Sequence, residues 1–157
     1  THMGTQQILL IVLSVIIVGA AIAVGIQMFN NQAYSANKSA IAADAQSFAS
    51  QVVQYFKTPT SQGGAGGKVE NMTDVKIANF IGWGSTTPEG GTTTANTMKN
   101  DNGEFKIKVN DDDTVEIKGT GKEEQGGKNP VITTTIEFPA GTITADASDE
   151  DVATEEG

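Results

Sequence analysis

Between Ile8 and Ile26 the chain reads ILLIVLSVIIVGAAIAVGI, nineteen residues without a charge. As a helix rising about 1.5 Å per residue, the run spans roughly 28 Å, the thickness of a bilayer's hydrocarbon core. Thirteen of these residues are Ile, Leu or Val: Ile8, Leu9, Leu10, Ile11, Val12, Leu13, Val15, Ile16, Ile17, Val18, Ile22, Val24 and Ile26. At about −0.3 to −0.6 kcal/mol each, insertion into a membrane gains on the order of 4–8 kcal/mol, with no charge to oppose it. The expectation is membrane residence at some stage. The remaining sequence is rich in Gly, Thr, Asn and Asp, and its large apolar residues are spaced out. A soluble globular chain does not sort its residues this way.

Three readings of the apolar run compete. A cleaved signal peptide needs a positive region before a short apolar stretch, yet no Lys or Arg precedes this long one. A single-span anchor normally carries Lys or Arg near its cytoplasmic end, where Thr5, Gln6 and Gln7 stand here. A basic leader removed earlier would account for the missing cations. In the third reading the run is the first half of a longer helix. No Pro interrupts residues 27–57, and Ile41, Ala45, Phe48, Val52 and Phe56 recur at spacings of four, three, four and four. Those spacings line one helix face. Thr58-Pro59 ends the pattern, and SQGGAGG follows as a flexible linker. The helix therefore extends over residues 1–57, with an amphipathic second half that needs a partner surface.

That surface is expected in the head, residues 68–145. Phe105, Ile107 and Val109 alternate with Glu104, Lys106 and Lys108; Val115 and Ile117 alternate with Thr114, Glu116 and Lys118. The Asn110-Asp111-Asp112-Asp113 turn between them makes the pair a hairpin. Ile132, Thr134, Ile136 and Phe138 give a third strand, and residues 142–145 a fourth after the Pro139-Ala140-Gly141 turn. Residues 84–97 and 119–129 read as polar loops. Such a sheet is apolar on one face only and is too thin to be stable alone. The stripe from Ile41 to Phe56 completes its core. The fold class is α+β: a long N-terminal helix packed on a small antiparallel sheet. Residues 146–157 hold six of the nineteen acids and no base, and read as a solvated tail or, alternatively, as an extension that contacts a neighbouring subunit.

Chemistry is sparse. The net charge is −9, and ten Lys with no Arg form no basic patch, which argues against nucleic acid as a partner. There is no cysteine, and the sole histidine is His2, so thiol catalysis, Cys-ligated zinc and a His-based triad have no residues to build on. No phosphate loop is present, because GGAGG lacks the Lys-Ser/Thr that would follow. No catalytic residue, metal site or cofactor is assigned, and the chain is not expected to be an enzyme. Asp111, Asp112 and Asp113 could meet a hard cation with Asn110 or Glu116, but their spacing is not that of a calcium loop and suits a turn. Asn37 and Asn71 head Asn-x-Ser/Thr triplets and are candidate glycosylation sites, as Thr86, Thr87 and Thr92–Thr94 are for O-linked sugar.

An all-apolar half-helix, GTQQILLIVLSVIIVGAAIAVGIQMF, continued by an amphipathic stretch to Lys57 and a small β head, resembles the type IV pilins and related bacterial and archaeal filament subunits. The resemblance rests on architecture and covers about a third of the chain. It implies that the apolar half-helices leave the membrane and pack together as a filament core. It further implies three partners: the chain itself, the membrane before assembly, and a secretion and assembly machinery. Localisation would then be an extracellular filament at the cell surface. In that family an acid near the N-terminus pairs with a neighbour's amine; here Thr5, Gln6 and Gln7 are neutral and offer at most a hydrogen bond. Gly19 and Gly25 are the cheapest places for the helix to bend, or else points of close helix packing. The alternative function is a membrane-anchored binding or adhesion domain outside the cell.

Overall fold

The computed structural model describes residues 2–83 and 96–152. One helix, α1 (His2–Lys57), runs unbroken for 56 residues, roughly 84 Å. Its N-terminal half touches nothing else in the chain, and its C-terminal half lies across the sheet, over β3 and β4 as defined below. Two short 3₁₀ turns (Thr60–Gln62 and Val69–Asn71) and a short helix, α2 (Asp74–Phe80), follow. Then come β1 (Thr97–Lys99), β2 (Gly103–Val109), β3 (Thr114–Gly121), β4 (Lys128–Glu137) and β5 (Thr142–Asp151). They form one antiparallel meander in the order β1-β2-β3-β4-β5. The arrangement is α+β, a long apolar N-terminal helix packed on a small five-stranded sheet.

The period-two pattern puts Phe105, Ile107, Val115, Ile117, Ile132, Thr134, Ile136 and Phe138 on the inner face, all buried. From α1, Ile41, Ala45, Val52 and Phe56 meet them. Phe48 is half-buried and sets its ring edge-on to both Trp83 and Phe105, each at 5.1 Å between centroids. Phe105 also explains Gly119, its cross-strand partner: a Cβ there would lie 2.8 Å from the ring. The stripe read from spacing was incomplete. Tyr34, Ala49 and Tyr55 are buried on the same helix; Ala49 falls four residues after Ala45, and Tyr34 seven before Ile41.

Three expectations about segments need correction. SQGGAGG is no flexible linker but a folded cap on α1. The amides of Ala65, Gly66 and Gly67 donate to the carbonyls of Tyr55, Thr58 and Phe56 at 2.7–3.0 Å, satisfying groups that the helix end leaves orphaned. Ala65 is fully buried beneath this cap. Residues 146–151 belong to β5, paired with β4 along its whole length, so the sheet extends past residue 145 and the solvated tail does not begin there. The ladder partners come from Lys128–Glu137, whose extended backbone continues well past the apolar pattern of that strand. The loop assigned to residues 119–129 shrinks to 122–127 for the same reason. Residues 84–95 lie outside the described residues, as do Thr86, Thr87 and Thr92–Thr94.

The cap depends on Gly64, where a Cβ would sit 2.2 Å from the Thr58 carbonyl oxygen and 2.4 Å from its Cβ, both immovable without shifting the turn. Gly64→Ala is expected to destabilise the head by about 1–3 kcal/mol, the usual range for forced overpacking. Thermal unfolding of the variant checks this, and an unchanged midpoint would show that the cap is dispensable.

An uncovered apolar half-helix as the candidate assembly surface

The side chains that most need burial are the ones the fold leaves bare. Ile8, Leu9, Leu10 and Ile11 are each 63% exposed, and every Ile, Leu and Val from residue 8 to residue 26 is at least 51% exposed. Ile41, by contrast, is fully buried on the same helix. The helix is long and apolar enough to cross a membrane. The uncharged stretch runs on from residue 3 to residue 37, with Lys38 the first charge. Met28 and Phe29 continue the exposed apolar surface toward the head. The one hydroxyl inside the run, on Ser14, donates to the Leu10 carbonyl at 2.7 Å. It therefore carries no unmet hydrogen bond into an apolar medium.

Gly19 and Gly25 sit in continuous helix with open space where a Cβ would stand, so nothing within the chain requires them. Ser14, Val15, Val18, Gly19 and Ile22 line a shallow open depression on one side of the helix. A second helix can approach closely at such a place, where small residues let backbones come together. Thr5, Gln6 and Gln7 lie on the first turns of α1, exposed, with no acidic residue in the first turn.

Where the helix enters the head, its polar side chains clamp the surrounding loops. Asn31 Oδ1 accepts from Gln125 Nε2, Asn37 Nδ2 donates to the Asn102 carbonyl at 2.7 Å, and Asn37 Oδ1 accepts from the Glu123 amide at 3.2 Å. Asp44 Oδ2 accepts from Asn100 at 3.0 Å and Asn102 at 2.8 Å. Tyr34 donates its hydroxyl to Asp149 Oδ1 at the far end of β5. None of these links could be read from the sequence, because each joins residues at least 56 positions apart. The hint was only that this stretch of helix is rich in Asn rather than Lys or Glu.

The other candidates separate. Asn71 is half-buried, with its Nδ2 donating to the Ala65 carbonyl at 3.0 Å, and Asn37 is clamped as described. Both glycosylation candidates thus use their amide nitrogens in the fold. Asp111, Asp112 and Asp113 are exposed in the β2–β3 turn, where Asp113 adopts a positive φ of 62° and Asp112 accepts from Thr114. Among the described residues, no three metal-ligating side chains of the His, Cys, Asp or Glu type converge. Comparison with protein-family models, with curated proteins and with solved structures returned no match.

The Asp149 carboxylate, accepting the Tyr34 hydroxyl, holds that hydroxyl's pKa up at about 12, with burial adding to the effect. Because the folded value exceeds the unfolded value near 10, the stabilisation is complete below pH 10 and is lost as pH rises from there toward 12. Tyr34→Phe is expected to raise hydrogen-exchange rates of the amides at residues 149–151 several-fold at neutral pH. It should also remove the alkaline loss of protection expected of the unmodified chain between about pH 10 and 12. Equal exchange in the two proteins would mean the Tyr34–Asp149 link does not hold β5.

Proposed function

We propose that this chain is the structural subunit of a self-assembling extracellular filament, polymerising through the apolar half of α1. The observation that carries the reading is the uncovered surface from Ile8 to Ile26, continuous in one helix with a stripe that the head buries at Ile41, Ala45, Val52 and Phe56. Held in a bilayer before assembly, the half-helix exchanges lipid contacts for contacts with identical neighbours. Ser14, Gly19 and Gly25 supply close approach, while the head forms the outer surface. The partners are further copies of the chain, the membrane and the machinery that extracts subunits from it; no catalytic step and no nucleic acid enter. Resemblance to the type IV pilins supports the same assignment from architecture.

A single-span membrane anchor carrying a binding or adhesion head is the second reading, favoured by the match between about 28 Å of apolar helix and the hydrocarbon core. Val15 discriminates between the two. It is 66% exposed in the isolated chain and lies against the helix depression, so in a polymer it would face other helices. Val15→Asp is expected to abolish filaments, because an unpaired carboxylate would be buried in an apolar core. Sheared filament yield, measured alongside chain abundance in membranes, reads the outcome. A normal polymer yield from that variant would remove residue 15 from any apolar core and overturn the proposal.

A further inference from the structure

The sheet is electrically lopsided across its width. β5 carries Asp146, Asp149, Glu150 and Asp151 and no base; at the opposite flank, β1 and β2 carry Lys99, Lys106 and Lys108 against a single acid, Glu104. Five strands place these flanks about 19 Å apart. The register puts Lys106, Lys118, Thr133 and Asp146 in one row across the outer face, away from α1. Two neighbours in that row are like-charged: Lys106 stands directly opposite Lys118, a pairing that costs stability within a sheet. Glu150 engages Lys118 at 3.0 Å, and Lys99 pairs with Glu104 at 3.1 Å. Among the described residues Lys106, Lys108 and Asp146 form no salt bridge, and all three are exposed.

The two flanks differ in backbone as well. On the β2 side the amides of Ile107 and Val109 are already taken, by the Asn96 carbonyl at 2.9 Å and by Asp74 Oδ1 at 2.8 Å. β5 is an edge along its full ten residues, with only Ile143 and the residues at its turn partly covered. Asp74 on the β2 flank is tied to the Val109 amide, and on β5 Asp149 is tied to Tyr34, Glu150 to Lys118 and Asp151 to Lys128. Among the described residues, the charges without an ion pair that the two flanks offer a neighbour are therefore Lys106 and Lys108 on β2 and Asp146 on β5.

On this basis, and resting on the filament reading above, we infer that neighbouring heads meet flank to flank, the β5 side of one copy against the Lys106 and Lys108 side of the next. Two-fold pairing through β5 would set acid against acid; pairing through β2 would set lysine against lysine. Only the unlike contact is attractive. A contact between two different patches is heterologous, and repeated by a rotation and rise that do not close it makes an open helix rather than a dimer. The head thus carries a polarity of its own, which fixes which side of each subunit the next one occupies while the half-helices supply the cohesion.

Charge exchange in the full chain tests this, read as the sedimentable fraction of sheared filaments across a salt series. Asp146→Lys alone, and Lys106→Glu with Lys108→Glu, should each shift the subunit dissociation constant upward by about two- to fivefold per lost pair, the range for exposed ion pairs. All three exchanges together should return it toward the unmodified value at low salt, with every difference shrinking at high salt. Retained far-UV circular dichroism certifies folding of each variant. Failure of the combined variant to improve on its parents, or parents indistinguishable from the unmodified chain, overturns the flank-to-flank contact and leaves the filament intact. Absence of filaments from the unmodified chain overturns the filament reading first and this contact with it.

Discussion

Everything in this molecule turns on one mismatch within a single helix. Fully burying an exposed Ile, Leu or Val gains about 1.5–3 kcal/mol. For the thirteen such residues from Ile8 to Ile26 that sums to an upper bound of roughly 20–40 kcal/mol, above the 5–15 kcal/mol typical of a whole domain's stability. The head supplies none of it. A bilayer can supply nearly all of it, so in the proposed assembly an exchange of lipid for identical helices would not be driven by burial as such. In that proposal packing quality would drive it, which is where small residues count: Gly19, Ala20, Ala21, Ala23 and Gly25 fall within seven positions. The proposed filament role asks the same helix to be both acceptable to lipid and self-complementary, a demand that a run apolar all round yet not uniformly bulky fits.

The second half of α1 solves a different problem. A sheet with one apolar face cannot stand alone, and Ile41, Ala45, Ala49, Val52 and Phe56 close it. Hydrogen bonds donated by Tyr34 and Asn37 and accepted by Asn31 and Asp44 then secure the loops and the end of β5 around the point where the helix enters. At the other end the glycine-rich cap fastens the chain back onto the last helical turn. The head is thereby held at both ends of the buried stretch, and its orientation about the helix is determined. In the proposed flank-to-flank contact, that fixed orientation is what would let a charge difference between β5 and β2 specify which face a neighbour meets.

Much of this was legible in the residues because period and composition act locally. The apolar run, the helical spacing to Phe56 and the alternation around Phe105, Val115 and Ile132 each announce themselves within a dozen residues. Three things resisted. Acid-rich residues 146–151 have no apolar period, and they are a strand because β4 presents a full-length ladder to them. SQGGAGG looks like a linker because left-handed glycines serve loops and caps alike; Gly66 and Gly67, with φ of 65° and 75°, are used here to aim amides at helix carbonyls. Tyr34 and Asp149 meet across 115 positions, a relation that no local pattern encodes. Of the candidate assembly surface, its extent was written in the sequence, while its exposure beside a finished head was visible only in three dimensions.

The most direct measurement of the central claim is mass spectrometry of filaments sheared from cells bearing this protein, set against the washed membranes that remain. If the half-helix from Ile8 to Ile26 is a polymer core, this chain is the principal component of the sheared filaments. Recovery of the chain from membranes as a monomer, with none in the sheared fraction, would contradict it.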